Sequence, residues 1–166
     1  SPVWYEERTE WGPEQVGVPR IAHPNTGFEL LQGAPVFEGK ILGGCIESLY
    51  DLLTGGRYGS EAEICQRYGL FPDAEDWKGR ILLLESSEEK PGPALYEKVL
   101  VLLKERGVLS AVSGLLLGKP MDGTFEEEYK QAVLRVVGDL PTANGLPLSV
   151  VAAGGANQDH YLKGSI

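Results

Sequence analysis

Clustered positive charge is the first thing this sequence lacks. Its 166 residues hold 15 Lys and Arg against 24 Asp and Glu, a formal net charge of -9. The basic residues stand singly, apart from Lys104-Glu105-Arg106, where an acid separates the pair. Nucleic-acid backbones and anionic lipid surfaces are gripped by grouped Lys and Arg, so the balance argues against both as partners. Long apolar runs are missing too, and Ser1-Pro2-Val3-Trp4 shows neither the basic nor the apolar stretch of a secretion leader. Cysteine is scarce: Cys45 and Cys65 lie in segments that read as helix. That argues against a disulfide framework and sets the expectation of a reducing cytoplasm. Cys45, Cys65, His23 and His160 lack the spacing of zinc ligands, so no metal is expected. Also absent are a G-x-S-x-G nucleophile elbow, a Walker-type G-K-[ST], H-E-x-x-H and C-x-x-C.

What is present is an ordinary globular composition, 42% hydrophobic and 23% charged, in a chain long enough for one domain with a real core. Five of the eleven prolines fall in residues 1–35, which read as irregular chain with short extended pieces at Val3-Trp4-Tyr5 and Phe28-Glu29-Leu30-Leu31. Lys40-Ile41-Leu42 predicts a short strand ending at Gly43-Gly44. A helix follows from Cys45, with Ile46, Leu49, Tyr50 and Leu53 on one face and Gly55-Gly56 as its stop. Ser60 with Glu63, and Thr124 with Glu127, have the spacing of capping boxes for two further helices. Between those two helices, Leu95, Val99, Leu102 and Leu103 form the stripe of another helix, closed at Arg106-Gly107. Ala111–Gly118 and Leu148–Val151 read as apolar strands. The alternation of strands and helices predicts an α/β fold, a single domain with a mostly parallel sheet and helical crossovers.

Arg80-Ile81-Leu82-Leu83-Leu84-Glu85 is the most telling segment, four large aliphatics that stop at a carboxylate. Such a run reads as a strand buried on both faces, flanked by the helices near Pro93 and Thr124. A carboxylate at its C-terminal end sits on the rim where open α/β sheets hold ligands, although the first polar residue after a core strand has the same look. Gly43-Gly44 admit two readings, an anion-binding strand-to-helix junction or simply a tight turn.

In order along the chain, Ser1-Pro2-Val3-Trp4, Gly39-Lys40-Ile41-Leu42-Gly43-Gly44, Lys78–Glu85 and Val112-Ser113-Gly114-Leu115-Leu116-Leu117-Gly118-Lys119 resemble the C-terminal domain of the LD-carboxypeptidase family. That family includes the microcin C immunity proteins. The resemblance covers residues 1 to about 140 and divides the chain into a domain, 1–140, and a last strand with a divergent or altered tail, 141–166. It implies a swivelling β/β/α-type domain and a serine peptidase with a Ser–Glu–His triad. The serine would come from an N-terminal nucleophile domain that has no counterpart in these residues. Glu85 matches the triad glutamate, which orients the imidazole.

The resemblance also implies substrate contacts at Gly43, Gly44 and the next residue, where Cys45 replaces the family's usual Asn, and places Trp4 near the inter-domain cleft, either stacking on substrate or packing as a buried or hinge residue. The family's Gly-His after the last strand is absent: Val150–Gly155 stand there, and His160 arrives late as a candidate base. His23 reads as a loop residue.

The expected activity of the whole enzyme is release of a terminal D-amino acid from a murein peptide, or cleavage of a peptidyl- or aminoacyl-nucleotide. No cofactor is implied, and a homodimer is left open. The residues at hand lack the nucleophile domain and are expected to be inactive alone. The alternative is a non-catalytic binding or assembly module with an acidic surface. A self-contained hydrolase built from Ser149 or Ser113 with His160 and Asp159 would need an exposed serine turn, whereas both serines lie in apolar segments.

Overall fold

The computed structural model describes residues 2–138, 140–141 and 145–153. Strands β1 (Val3–Tyr5) and β2 (Ala22–Pro24) form a small antiparallel pair. The main sheet comprises β3 (Phe28–Gln32), β4 (Lys40–Cys45), β5 (Arg80–Glu85), β6 (Gly114–Leu117) and β7 (Ser149–Ala153). Its order is β3-β7-β6-β5-β4, with β4 through β7 parallel and only β3 antiparallel. The connections carry α1 (Ile46–Thr54), α2 (Glu61–Tyr68), α3 (Pro93–Glu105), α4 (Val108–Ala111) and α5 (Glu126–Val137). The predicted mostly parallel α/β domain with helical crossovers is what forms.

Each crossover steps one strand in the same direction. Parallel crossovers are right-handed, so a monotonic strand order puts every connecting helix on one face. Helix α3 accordingly packs against both α1 and α5. Val99, Leu100 and Leu103 of α3 share one core with Leu82, Leu84, Leu115, Leu117, Val150 and Ala152 of the sheet. This corrects the expectation that the Ile81–Leu84 run is covered equally on both faces. Leu82 and Leu84 are 0% exposed, but Ile81 and Leu83 face the other way and are only half-buried. On edge strand β4, Ile41 is 55% exposed.

Three local expectations also change. The 111–118 run does not start as a strand: Gly107, at φ 76°, turns the chain into α4, which buries Val108 and Leu109. β6 begins only at Gly114, where a side chain would collide with the Phe37 ring, 2.3 Å from the Cβ position. Ser60 does not cap α2 through its side chain; Glu61 instead accepts the Tyr58 N–H at 3.0 Å. Thr124 lies outside α5, whose start is set by Phe125 in the left-handed region. Gly55, by contrast, closes α1 as expected, with its N–H bonded to Asp51 O at 2.7 Å.

Glu127 is diverted from its predicted capping role by Lys130. The Lys130 side chain is 8% exposed, and its ammonium lies 2.9 Å from Glu29, 2.8 Å from Glu126 and 2.9 Å from Glu127. Burial alone would lower the pKa of this amine, but the three carboxylates more than offset it and raise it. The cluster ties α5 to edge strand β3. Lys130→Met should lower the unfolding free energy by about 3 kcal/mol, because it strands carboxylates that no longer have a counter-charge. Urea unfolding checks this, and a loss under about 0.5 kcal/mol would mean that solvent already screens the cluster.

Candidate active site

The C-terminal ends of β4, β5 and β6 form a rim. Cys45 stands opposite Glu85 in the β4–β5 register, and Leu84 stands opposite Leu117. Glu85 is exposed and, among the described residues, its carboxylate holds no hydrogen bond or ion pair. Alternation along β5 explains its direction: Leu82 and Leu84 point to the helices, so Leu83 and Glu85 point away. Gly118 leaves it room, since a Cβ there would lie 3.0 Å from the Glu85 Cβ.

Gly43 and Gly44 belong to β4 itself, which runs on to Cys45 instead of stopping at a turn. Gly43 is required by close approach: an added Cβ would sit 1.8 Å from the carbonyl oxygen of Leu83. The pairing of β4 with β5 therefore continues through the glycines to the level of Glu85. Helix α1 starts only at Ile46, with Cys45 as its N-terminal flanking residue. The Cys45 thiol donates to Glu47 Oε2 at 2.9 Å. Burial raises the thiol pKa and the bond to Glu47 raises it further, so Cys45 has the character of a neutral thiol and not of an activated nucleophile.

Glu47 was not singled out from the sequence. Its Oε1 accepts both the Ser87 hydroxyl, at 2.5 Å, and the Ser87 N–H, at 3.2 Å. Burial alone would raise its pKa, but the bonds from Cys45 and Ser87 outweigh that and lower it. The one sequence signal was an acid in the first turn of a helix, which is common for dipole reasons and points to no partner.

Trp4 reaches the same rim through Lys119, which follows Gly118. The Lys119 ammonium lies 3.8 Å from the Trp4 ring centroid, and the His23 ring stacks on Trp4 at 4.4 Å. His23 is therefore a strand residue of β2, with Nε2 2.6 Å from Glu6 Oε1, and not a loop residue. The Trp4 indole is already engaged by two protein groups, so a substrate ring would have to compete with them. Ser149 is buried and its hydroxyl accepts the Ala34 N–H at 3.0 Å. Ser113 is half-buried just before β6, its N–H bonded to Arg80 O at 2.8 Å. Neither stands on an exposed turn. His160 and Asp159 lie outside the described residues. No helix among the described residues is long and apolar enough to cross a membrane.

Residues 38–162 match the family model of the LD-carboxypeptidase C-terminal domain. The chain belongs to the LD-carboxypeptidase family. Its fold is similar to that of the MccF-like protein from Streptococcus pneumoniae, crystallised in complex with AMP, at 52% identity and a TM-score of 0.82. That match covers 92% of this chain and 43% of the other. MccF in complex with glutamyl sulfamoyl guanosine is similar at 22% identity and a TM-score of 0.61, over 92% of this chain and 39% of that one. The MccF-like protein from Bacillus anthracis str. Ames is similar at 18% identity and a TM-score of 0.60, over 95% and 41%. These two share the fold. The chain thus spans less than half the length of these relatives, as the C-terminal part of a two-domain family. No curated protein matches it.

The Glu47 contacts have a measurable pH signature. A carboxyl whose pKa is lowered by folding contributes stability that is complete above the ordinary carboxylate range and is lost as pH falls through its lowered native value. The stability difference between the native chain and Glu47→Gln should therefore be largest near neutrality and shrink on acidification toward pH 3. Unfolding curves at several pH values test this. A difference that stays flat or grows would show that the Glu47 carboxylate is not held as a charge.

Proposed function

We propose that this LD-carboxypeptidase-family domain supplies Glu85 as the orienting carboxylate of a Ser–Glu–His hydrolase whose serine belongs to the family's N-terminal nucleophile domain. The observation that carries the reading is an exposed carboxylate, without a partner among the described residues, at the C-terminal rim of a parallel sheet, at the position that the sequence resemblance assigns to the family's glutamate. An orienting carboxylate has to present its oxygens to an imidazole, which an exposed Glu85 pointing away from the helices can do.

In the proposed reaction Glu85 accepts a hydrogen bond from one ring N–H of the histidine. That fixes the tautomer whose other nitrogen takes the serine proton, and it stabilises the imidazolium that results. His160 is the candidate for this base. The substrates are peptidyl- or aminoacyl-nucleotides, or murein peptides with a terminal D-amino acid. The nucleotide branch draws support from the AMP bound to the S. pneumoniae relative. Trp4, Gly43, Gly44 and Cys45 border the same rim and are the proposed substrate contacts. No metal or organic cofactor enters the scheme.

With Ser149 and Ser113 engaged in the fold, the isolated chain should not turn over murein tetrapeptide or aminoacyl-nucleotide. In the two-domain enzyme, Glu85→Gln should lower kcat by about three to four orders of magnitude with the melting temperature nearly unchanged, the pattern of losing a triad's orienting acid. If Glu85→Gln instead shifts the melting temperature by several degrees and spares kcat, the residue is structural and a non-catalytic binding module becomes the better reading.

A further inference from the structure

The loop that leaves β5 carries Glu85 at its root, and it is fastened at two points by helices from either side. From α1, Glu47 takes both the hydroxyl and the N–H of Ser87. The same Ser87 hydroxyl oxygen accepts the Glu89 N–H at 3.1 Å, and Lys90 N–H bonds Ser87 O at 3.2 Å, closing a tight turn. From α5, Tyr129 donates its hydroxyl to Pro91 O. Glu47 also holds Cys45, the residue directly across the ladder from Glu85. One half-buried carboxylate thus fixes the residue opposite Glu85 and the residue two positions beyond it.

Resting on the catalytic reading of Glu85, we infer that Glu47 is a positioning residue. It sets the backbone direction at the end of β5, so that the Glu85 carboxylate meets the imidazole at bonding distance. Beyond the stability of these bonds themselves, the main elements do not depend on Glu47. The core of α1, through Ile46 and Leu53, is buried independently of the Glu47 side chain. The β4–β5 ladder is complete without it. What Glu47 adds is a fixed path for residues 86–89 as they leave the rim. Reactive geometry is sensitive on this scale, since a shift of about 1 Å from a distant change costs about a hundredfold in rate.

The test uses the two-domain enzyme assayed on an aminoacyl-nucleotide and a murein tetrapeptide. Glu47→Ala should lower kcat about ten- to a hundredfold while KM stays within about threefold. Ser87→Ala, which removes the shorter, hydroxyl bond of the same link from the other side, should lower kcat in the same direction and serves if Glu47→Ala fails to fold. The double variant should lose far less than the product of the two single losses, because both act on the Glu47–Ser87 link. Added to Glu85→Gln, Glu47→Ala should cause no further fall in kcat, since it acts through that carboxylate. Lys130→Met, assayed well below its melting temperature, controls for lost stability and should keep kcat. If Glu85→Gln abolishes turnover but both Glu47→Ala and Ser87→Ala leave kcat intact, the positioning role is overturned and the catalytic reading of Glu85 stands. Multiplicative losses in the Glu85→Gln background would equally overturn it. If Glu85→Gln itself is harmless, the catalytic reading falls and takes the positioning role with it.

Discussion

The close approach of β4 to β5 at Gly43 is the constraint on which the rim depends. With hydrogen in place of a side chain, the edge strand runs against the Leu83 backbone at a distance that no Cβ would tolerate. The parallel ladder therefore extends unbroken to Cys45 and Glu85. Helix α1 starts directly after this ladder, at Ile46, which sets Glu47 beside Ser87 of the loop that leaves β5. The arrangement of acid, thiol and loop at the rim is thus a consequence of how far one ladder is allowed to run.

Charge is distributed in this domain according to what each carboxylate has to do. Lys130 gathers three acids around one buried ammonium and joins α5 to the sheet edge. Glu47 is satisfied by donors of modest polarity, a thiol, a hydroxyl and an amide, and so holds a loop without needing a cation. Glu85 is left without a partner among the described residues. The same side chain thereby stands in three settings in one small acidic domain: as counter-ion at Glu29, Glu126 and Glu127, as hydrogen-bond hub at Glu47, and exposed without a partner among the described residues at Glu85. Their distinction lies in what surrounds them, because the side chain is the same.

The helical layer on one face and the half-buried aliphatics on the other follow from a single rule. A strand order that advances by one at each right-handed crossover cannot place helices on both sides. Ile81 and Leu83 are apolar and incompletely covered for that reason. An apolar run in sequence reports that both faces favour burial, but it does not report which layer covers which face.

The sequence by itself determined the alternation of strands and helices, the rim position of Glu85 and the family, because apolar runs and strand-end residues are local signals. It also located α1 closely, since its stripe and its Gly55-Gly56 stop are carried by contiguous residues. Only the tertiary structure decided where capping residues would spend their hydrogen bonds. Ser60 yielded to the equally local bond between Glu61 and the Tyr58 N–H, while Glu127 joined Lys130 in a cluster that Glu29 of β3 completes from across the fold. The same holds for Glu47 and Ser87, 40 residues apart. Their contact exists because two parallel strands place the start of one helix beside the loop that leaves the next strand. Spacing along a chain carries no record of a neighbour that only the sheet supplies.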